Sequence, residues 1–206
     1  MNHHHLTLHG AAGPIEALRD NPPANTLVRG TAIIAHPHPL FGGTMHNKVV
    51  HTLARAFTAS GFSAIRFNFR GVGHTAGTHD EGRGEMEDML AVVQQTAPAG
   101  PIALAGFSFG AFVASQALTR LATQRDITDL VWVGTAASRF AVAPIAPEMH
   151  ARALIIHGET DDVVSLASVM DWARPQSLPI TVIPAAGHFF HGQLPLLKGL
   201  VMRHLK

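Results

Sequence analysis

Cysteine is absent from the 206 residues, so disulfide bonds and thiolate chemistry are excluded and redox arguments leave the compartment open. Charge is scarce. Only 14% of residues are Asp, Glu, Lys or Arg, the formal net charge is +1, and no run of Lys or Arg occurs; this argues against nucleic acid as a main partner. No apolar run reaches the length needed to cross a bilayer. The opening Met1-Asn-His-His-His5 has no apolar core of the kind a signal peptide carries, and a cytoplasmic location is the resulting expectation. Hydrophobic residues make up 47% of the chain. That is enough for a sizeable core, and one domain over residues 1–206 is expected.

Histidine, by contrast, is plentiful, with fifteen copies. His36 and His38 lie two apart, and His188 and His191 three apart. Neither pair has the His-Glu-x-x-His spacing of a zinc protease, so neither a metal nor any other cofactor is expected.

Apolar, β-branched runs alternate with helical patterns along the chain. Strands are predicted over residues 27–35, 62–68, 102–105, 129–134, 153–157 and 180–183. Helices are predicted over 47–60, 85–95, 108–123, 165–173 and 190–204. Two further apolar stretches, 6–9 and 15–18, flank a Gly- and Pro-containing turn and suggest an antiparallel hairpin at a sheet edge. Strands separated by helices imply parallel βαβ units: a mostly parallel, twisted sheet with helices on both faces. In such a sheet ligands bind beyond the carboxyl ends of the strands.

The segment Gly106-Phe-Ser-Phe-Gly110 ends one predicted strand and opens a helix. Strand, sharp turn, helix is the order in which Gly-x-Ser-x-Gly lifts a strained serine Oγ clear of the backbone. A serine hydroxyl is a poor nucleophile until a base removes its proton. His188 follows the last predicted strand and can reach the same rim. Asp161 or Asp162, just beyond the strand at 153–157, can orient that imidazole. Acyl transfer also needs N–H donors for the developing oxyanion. One is the backbone N–H of Phe109. The second belongs to the loop His36-Pro-His-Pro-Leu-Phe-Gly-Gly43, where Pro37 and Pro39 have no N–H to offer. Phe41, Phe107, Phe189 and His191 are candidates for the substrate pocket, although His191 also reads as a helix-terminus hydrogen bonder. Arg70 is expected to pair with Glu85 or Asp88, or else to meet an anionic substrate, and His36 to brace the loop it opens.

These segments, together with Phe67-Asn-Phe-Arg-Gly-Val-Gly73, His157-Gly-Glu-Thr-Asp161 and Gly187-His-Phe-Phe-His-Gly192, carry a family resemblance. From about Leu27 to His204 the chain resembles a small member of the α/β-hydrolase superfamily, close to bacterial serine hydrolases grouped with dienelactone-hydrolase-like and prolyl-oligopeptidase-like domains. The resemblance implies the α/β-hydrolase fold, with Ser108 as nucleophile, Asp161 as acid and His188 as base. It favours His38 as the second oxyanion donor, with Leu40 the alternative. Ser165 stands where the family often has proline. Larger relatives insert a helical lid after the strand at 129–134; the short stretch 136–151 leaves no room for one, so an open site without a large cap domain is expected. The function implied is hydrolysis of small or exposed carboxylic esters through an acyl-enzyme, with a small-molecule ester as partner. A peptidase, acyltransferase or thioesterase on the same residues, and a non-catalytic binding protein on the same fold, are the alternatives. A monomer and a homodimer are both compatible with the sequence.

Overall fold

The computed structural model describes residues 3–206. Eight strands form one sheet: β1 (His3–Gly10), β2 (Gly13–Asp20), β3 (Gly30–Ala35), β4 (Phe62–Phe67), β5 (Ile102–Phe107), β6 (Ile127–Val133), β7 (Ala153–Gly158) and β8 (Thr181–Ile183). Their order across the sheet is β1-β2-β4-β3-β5-β6-β7-β8. The hairpin β1–β2 and the β2–β4 pair are antiparallel, and every other pair is parallel. This is the α/β-hydrolase fold.

Five helices cover the two faces: α1 (Lys48–Ala59), α2 (Arg83–Thr96), α3 (Phe109–Leu121), α4 (Leu166–Ala173) and α5 (Leu194–His204). The central strand β5 shows how the sequence divides between them. All six of its residues are buried, as a strand covered on both sides requires. Ile102 and Leu104 join the core beneath α2, α3 and α4, while Ala103, Ala105 and Phe107 join the core beneath α1 and α5. The period of two assigns each side chain to its face.

Most boundaries shift by one to four residues from the sequence reading, and two of these shifts have a clear local cause. β3 begins at Gly30, not at residue 27, because its ladder with β4 starts at Gly30 opposite Phe62; Leu27 and Val28 before it are exposed. α5 begins at Leu194, not at residue 190, because Phe190 and Gly192 adopt left-handed φ of 51° and 74° that a helix cannot continue through. Pro195 then sits in the first turn, where its missing N–H costs nothing.

Between β6 and β7 the chain forms only a short 3-10 turn, Pro147–Arg152; no helical lid is inserted there. Among the described residues no helix is long and apolar enough to cross a membrane.

Candidate active site

β5 ends at Phe107 and α3 begins at Phe109, so the whole reversal falls on Ser108, at φ 57° and ψ −117°. A non-glycine residue held there costs about 1–3 kcal/mol, which the surrounding structure must offset. Part of that support is the Ser108 N–H, which donates to the Val133 carbonyl at 2.8 Å. The flanking glycines have a steric reason. A Cβ on Gly106 would lie 2.4 Å from the Gly110 carbonyl group, and one on Gly110 would lie 2.3 Å from the Ala35 carbonyl oxygen. The turn is therefore closed by backbone packing against backbone.

Asp161 follows β7. Its Oδ1 accepts from the N–H groups of Val163 (2.9 Å) and Val164 (2.7 Å), and its Oδ2 accepts from His188 Nδ1 at 2.7 Å. Burial pushes this carboxyl up, but the His188 ring and the two backbone donors outweigh it and hold it below the usual carboxylate range. Asp162 points to solvent. With its Nδ1–H donated to Asp161, the buried His188 keeps Nε2 unprotonated, the tautomer a general base needs. The ring rests on Phe107 at 4.9 Å and on Phe189 at 5.1 Å between centroids. A second histidine, fully buried His157, donates from Nε2 to the Val164 carbonyl (2.9 Å), and the same nitrogen lies 3.5 Å from Asp161 Oδ2.

In the loop after β3 almost every backbone donor is engaged. Leu40 N–H donates to the ring of His38 at Nδ1, Phe41 and Gly43 N–H to the His38 carbonyl, and Gly42 N–H to the Pro39 carbonyl. The N–H of His38 has no acceptor among the described residues, nor has that of Phe109 at the start of α3. The N–H of Leu40, the alternative donor, is thus engaged within the loop. His36 holds the loop as expected. Its Nδ1 donates to the Pro37 carbonyl (2.6 Å), and its Nε2 accepts from the Phe69 N–H (3.0 Å), tying the loop to the segment after β4.

Burial pushes His36 down to about 3, against the opposing pull of the Pro37 carbonyl. The folded ring therefore stays neutral while the unfolded chain takes up a proton below about 6.5. Its contribution to stability is fully present above that pH and is lost as pH falls toward 3. Urea unfolding at several pH values between 7 and 4 should show stability falling less steeply in His36→Asn than in the native chain, by up to one proton. Equal slopes would contradict the assignment.

Ser108 and His188 both line one cavity of about 350 Å³, together with His38, Phe41, Arg139, Val163 and Phe189. That is at the small end of ligand sites. Phe41 and Phe189 are thus in the pocket wall. Phe107 is not: it is fully buried behind His188. His191 also lies outside, against Lys48 Nζ at 2.7 Å. The Arg70 Nε and Nη2 donate to the two oxygens of Asp88 at 2.8 Å each, so of its two expected acidic partners it pairs with Asp88. Arg139 and Val163 escaped the sequence reading, since an exposed arginine in an irregular segment carries no periodic signal. Among the described residues no group of three or more His, Asp or Glu side chains could hold a metal ion. A larger cleft of about 510 Å³ lies between the C-terminal ends of α2 and α3, the opposite end of α3 from Ser108.

Comparison with known proteins identifies the family. A family profile described as Hydrolase_4, serine aminopeptidase S33, matches residues 29–146, more than half of the chain. The protein XC6422 of Xanthomonas campestris, described as an α/β serine hydrolase without lid, is 36% identical and superposes with a TM-score of 0.89, over 100% of this chain and 94% of its own. An α/β serine hydrolase homologue from Coxiella burnetii is 37% identical, with a TM-score of 0.83 over 100% and 99%. The esterase Pf2001 of Pyrococcus furiosus is similar in fold, at 17% identity and a TM-score of 0.72 over 99% and 92%. The chain belongs to the Hydrolase_4 family of α/β serine hydrolases, as a member without a lid.

Proposed function

We propose that the protein is a carboxylic-ester hydrolase of small or exposed esters that works through an acyl-enzyme. His188 Nε2 takes the proton of Ser108 as its Oγ attacks the ester carbonyl, and Asp161 stabilises the imidazolium that forms. The N–H groups of His38 and Phe109 receive the oxyanion. The proton passes from His188 to the departing alcohol, and a water activated by the same ring then releases the acid. The observation that carries the reading is the 2.7 Å bond from His188 Nδ1 to a carboxylate held below its usual range, beside a serine strained into the same pocket.

The family description mentions an aminopeptidase. Such an enzyme must hold a substrate ammonium group, and the lining of this pocket contains a cation, Arg139, and no carboxylate. That favours the ester reading. Short p-nitrophenyl esters should be cleaved, with acyl chains of two to six carbons preferred over those beyond about ten, since the pocket is small. A fluorophosphonate probe should label the folded protein once, at Ser108. No labelling, or a strong preference for long chains, would refute the proposal.

A further inference from the structure

Among the described residues, Arg139 is the one charged side chain lining the Ser108 pocket, apart from whatever charge the histidines take. It is exposed, and no hydrogen bond or ion pair of its guanidinium occurs among the described residues. This distinguishes it from Arg66, Arg70, Arg83 and Arg174, each held by a carboxylate. Arg139 also lines an adjoining groove of about 360 Å³ walled by Met86, Phe112 and Phe140, so it stands where one concavity passes into the next. The groove's other charged residues are Arg83, paired with Asp80, and Glu81, whose carboxylate lies 3.7 Å from His79. On the serine side the apolar lining side chains include Phe41, Val163 and Phe189. Methylene groups fit such walls, and a planar guanidinium offers a fork that matches a carboxylate.

We propose that the pocket selects esters that carry a second, anionic group, a carboxylate at the end of a short aliphatic chain, and that Arg139 recognises it. The inference rests on the ester-hydrolase reading and narrows its substrate class. A chain seated on the apolar wall presents one end to Ser108 and the other to the free guanidinium. Because the mouth is open to water, the gain is several-fold and not several orders of magnitude, and it is sensitive to salt.

Monomethyl adipate and dimethyl adipate share one chain and differ at the far end, a carboxylate in the first and its neutral methyl ester in the second, and they supply the test. Binding is measured by calorimetric titration of Ser108→Ala, and turnover by chromatography with the native chain. Monomethyl adipate should bind about fivefold tighter than the diester. The preference should shrink in about 0.5 M salt. It should fall to near one in Ser108→Ala/Arg139→Gln and survive in part in Ser108→Ala/Arg139→Lys. Equal binding of the two esters, or a preference that Arg139→Gln leaves untouched, overturns the proposal. If the binding preference is present but the native chain cleaves neither ester, the anion site stands and the ester-hydrolase reading falls. If both are cleaved while binding shows no preference, the reverse holds.

Discussion

Ser108→Ala should lower turnover of short esters by about 10⁴-fold or more and abolish fluorophosphonate labelling, with little change in stability. The size follows from the role proposed for one atom: without Oγ there is no acyl-enzyme, and only the oxyanion donors and binding remain to accelerate direct attack by water. Stability is spared because the hydroxyl has no hydrogen-bond partner among the described residues and alanine keeps the Cβ that the turn already accommodates. His188→Ala should be nearly as inactive but less stable, since it leaves the buried Asp161 Oδ2 without its 2.7 Å donor. Because the two side chains act as one unit, the double variant should be no slower than Ser108→Ala alone. Steady-state rates and thermal melts on the three variants check all of this. A Ser108→Ala protein that retains a tenth of native turnover would rule the mechanism out.

Gly110→Ala should be a strongly damaging single-methyl change, at about 3 kcal/mol or more. Its Cβ would fall 2.3 Å from the Ala35 carbonyl oxygen and 2.6 Å from that of His36. Both are main-chain atoms, so relief requires α3 to move away from the end of β3, and overpacking that shifts backbone is costly. The displaced helix would carry Ser108 and the Phe109 N–H away from the His38 loop, so activity should fall along with the melting temperature. Gly199 supplies the control. It lies in α5, exposed, and a Cβ there meets nothing within 4 Å. Gly199→Ala should therefore stabilise by about 0.5–1 kcal/mol through helix propensity. The same added methyl is thus expected to have opposite signs at two helical positions, which denaturant titration of both variants measures directly.

The fold was legible wherever burial imposes a period. β5 is apolar on both faces, and α1 places Val49, Val50, Leu53, Ala54 and Phe57 in its core; patterns of this kind survive any detail of loop geometry. The site residues could be named because each lies directly beyond a strand. The pocket wall was less readable. His191 stands three residues after His188, a spacing that suggests one helical face, yet the left-handed turn at Phe190 intervenes and sends it to Lys48 instead. Phe107 alternates with its neighbours along β5 and so belongs to the core under α1 and α5, packed behind the imidazole. For Arg70 the sequence left two acidic partners. Asp88 takes it because Glu85, at the third position of α2, accepts the N–H groups of Asp80 and Gly82 and meets the His79 ring. Arg139 had no signal at all, since nothing in its neighbourhood repeats.

The brevity of the stretch between β6 and β7 has a kinetic corollary. Proteins that roof their pockets must lift the roof before each turnover, and that motion often sets the pace. Here no roof exists to lift. Entry and departure need no such motion, so an oil droplet should offer this protein no trigger that a dissolved molecule lacks. Its velocity should climb smoothly through the solubility limit of an ester, with no jump where a second phase forms.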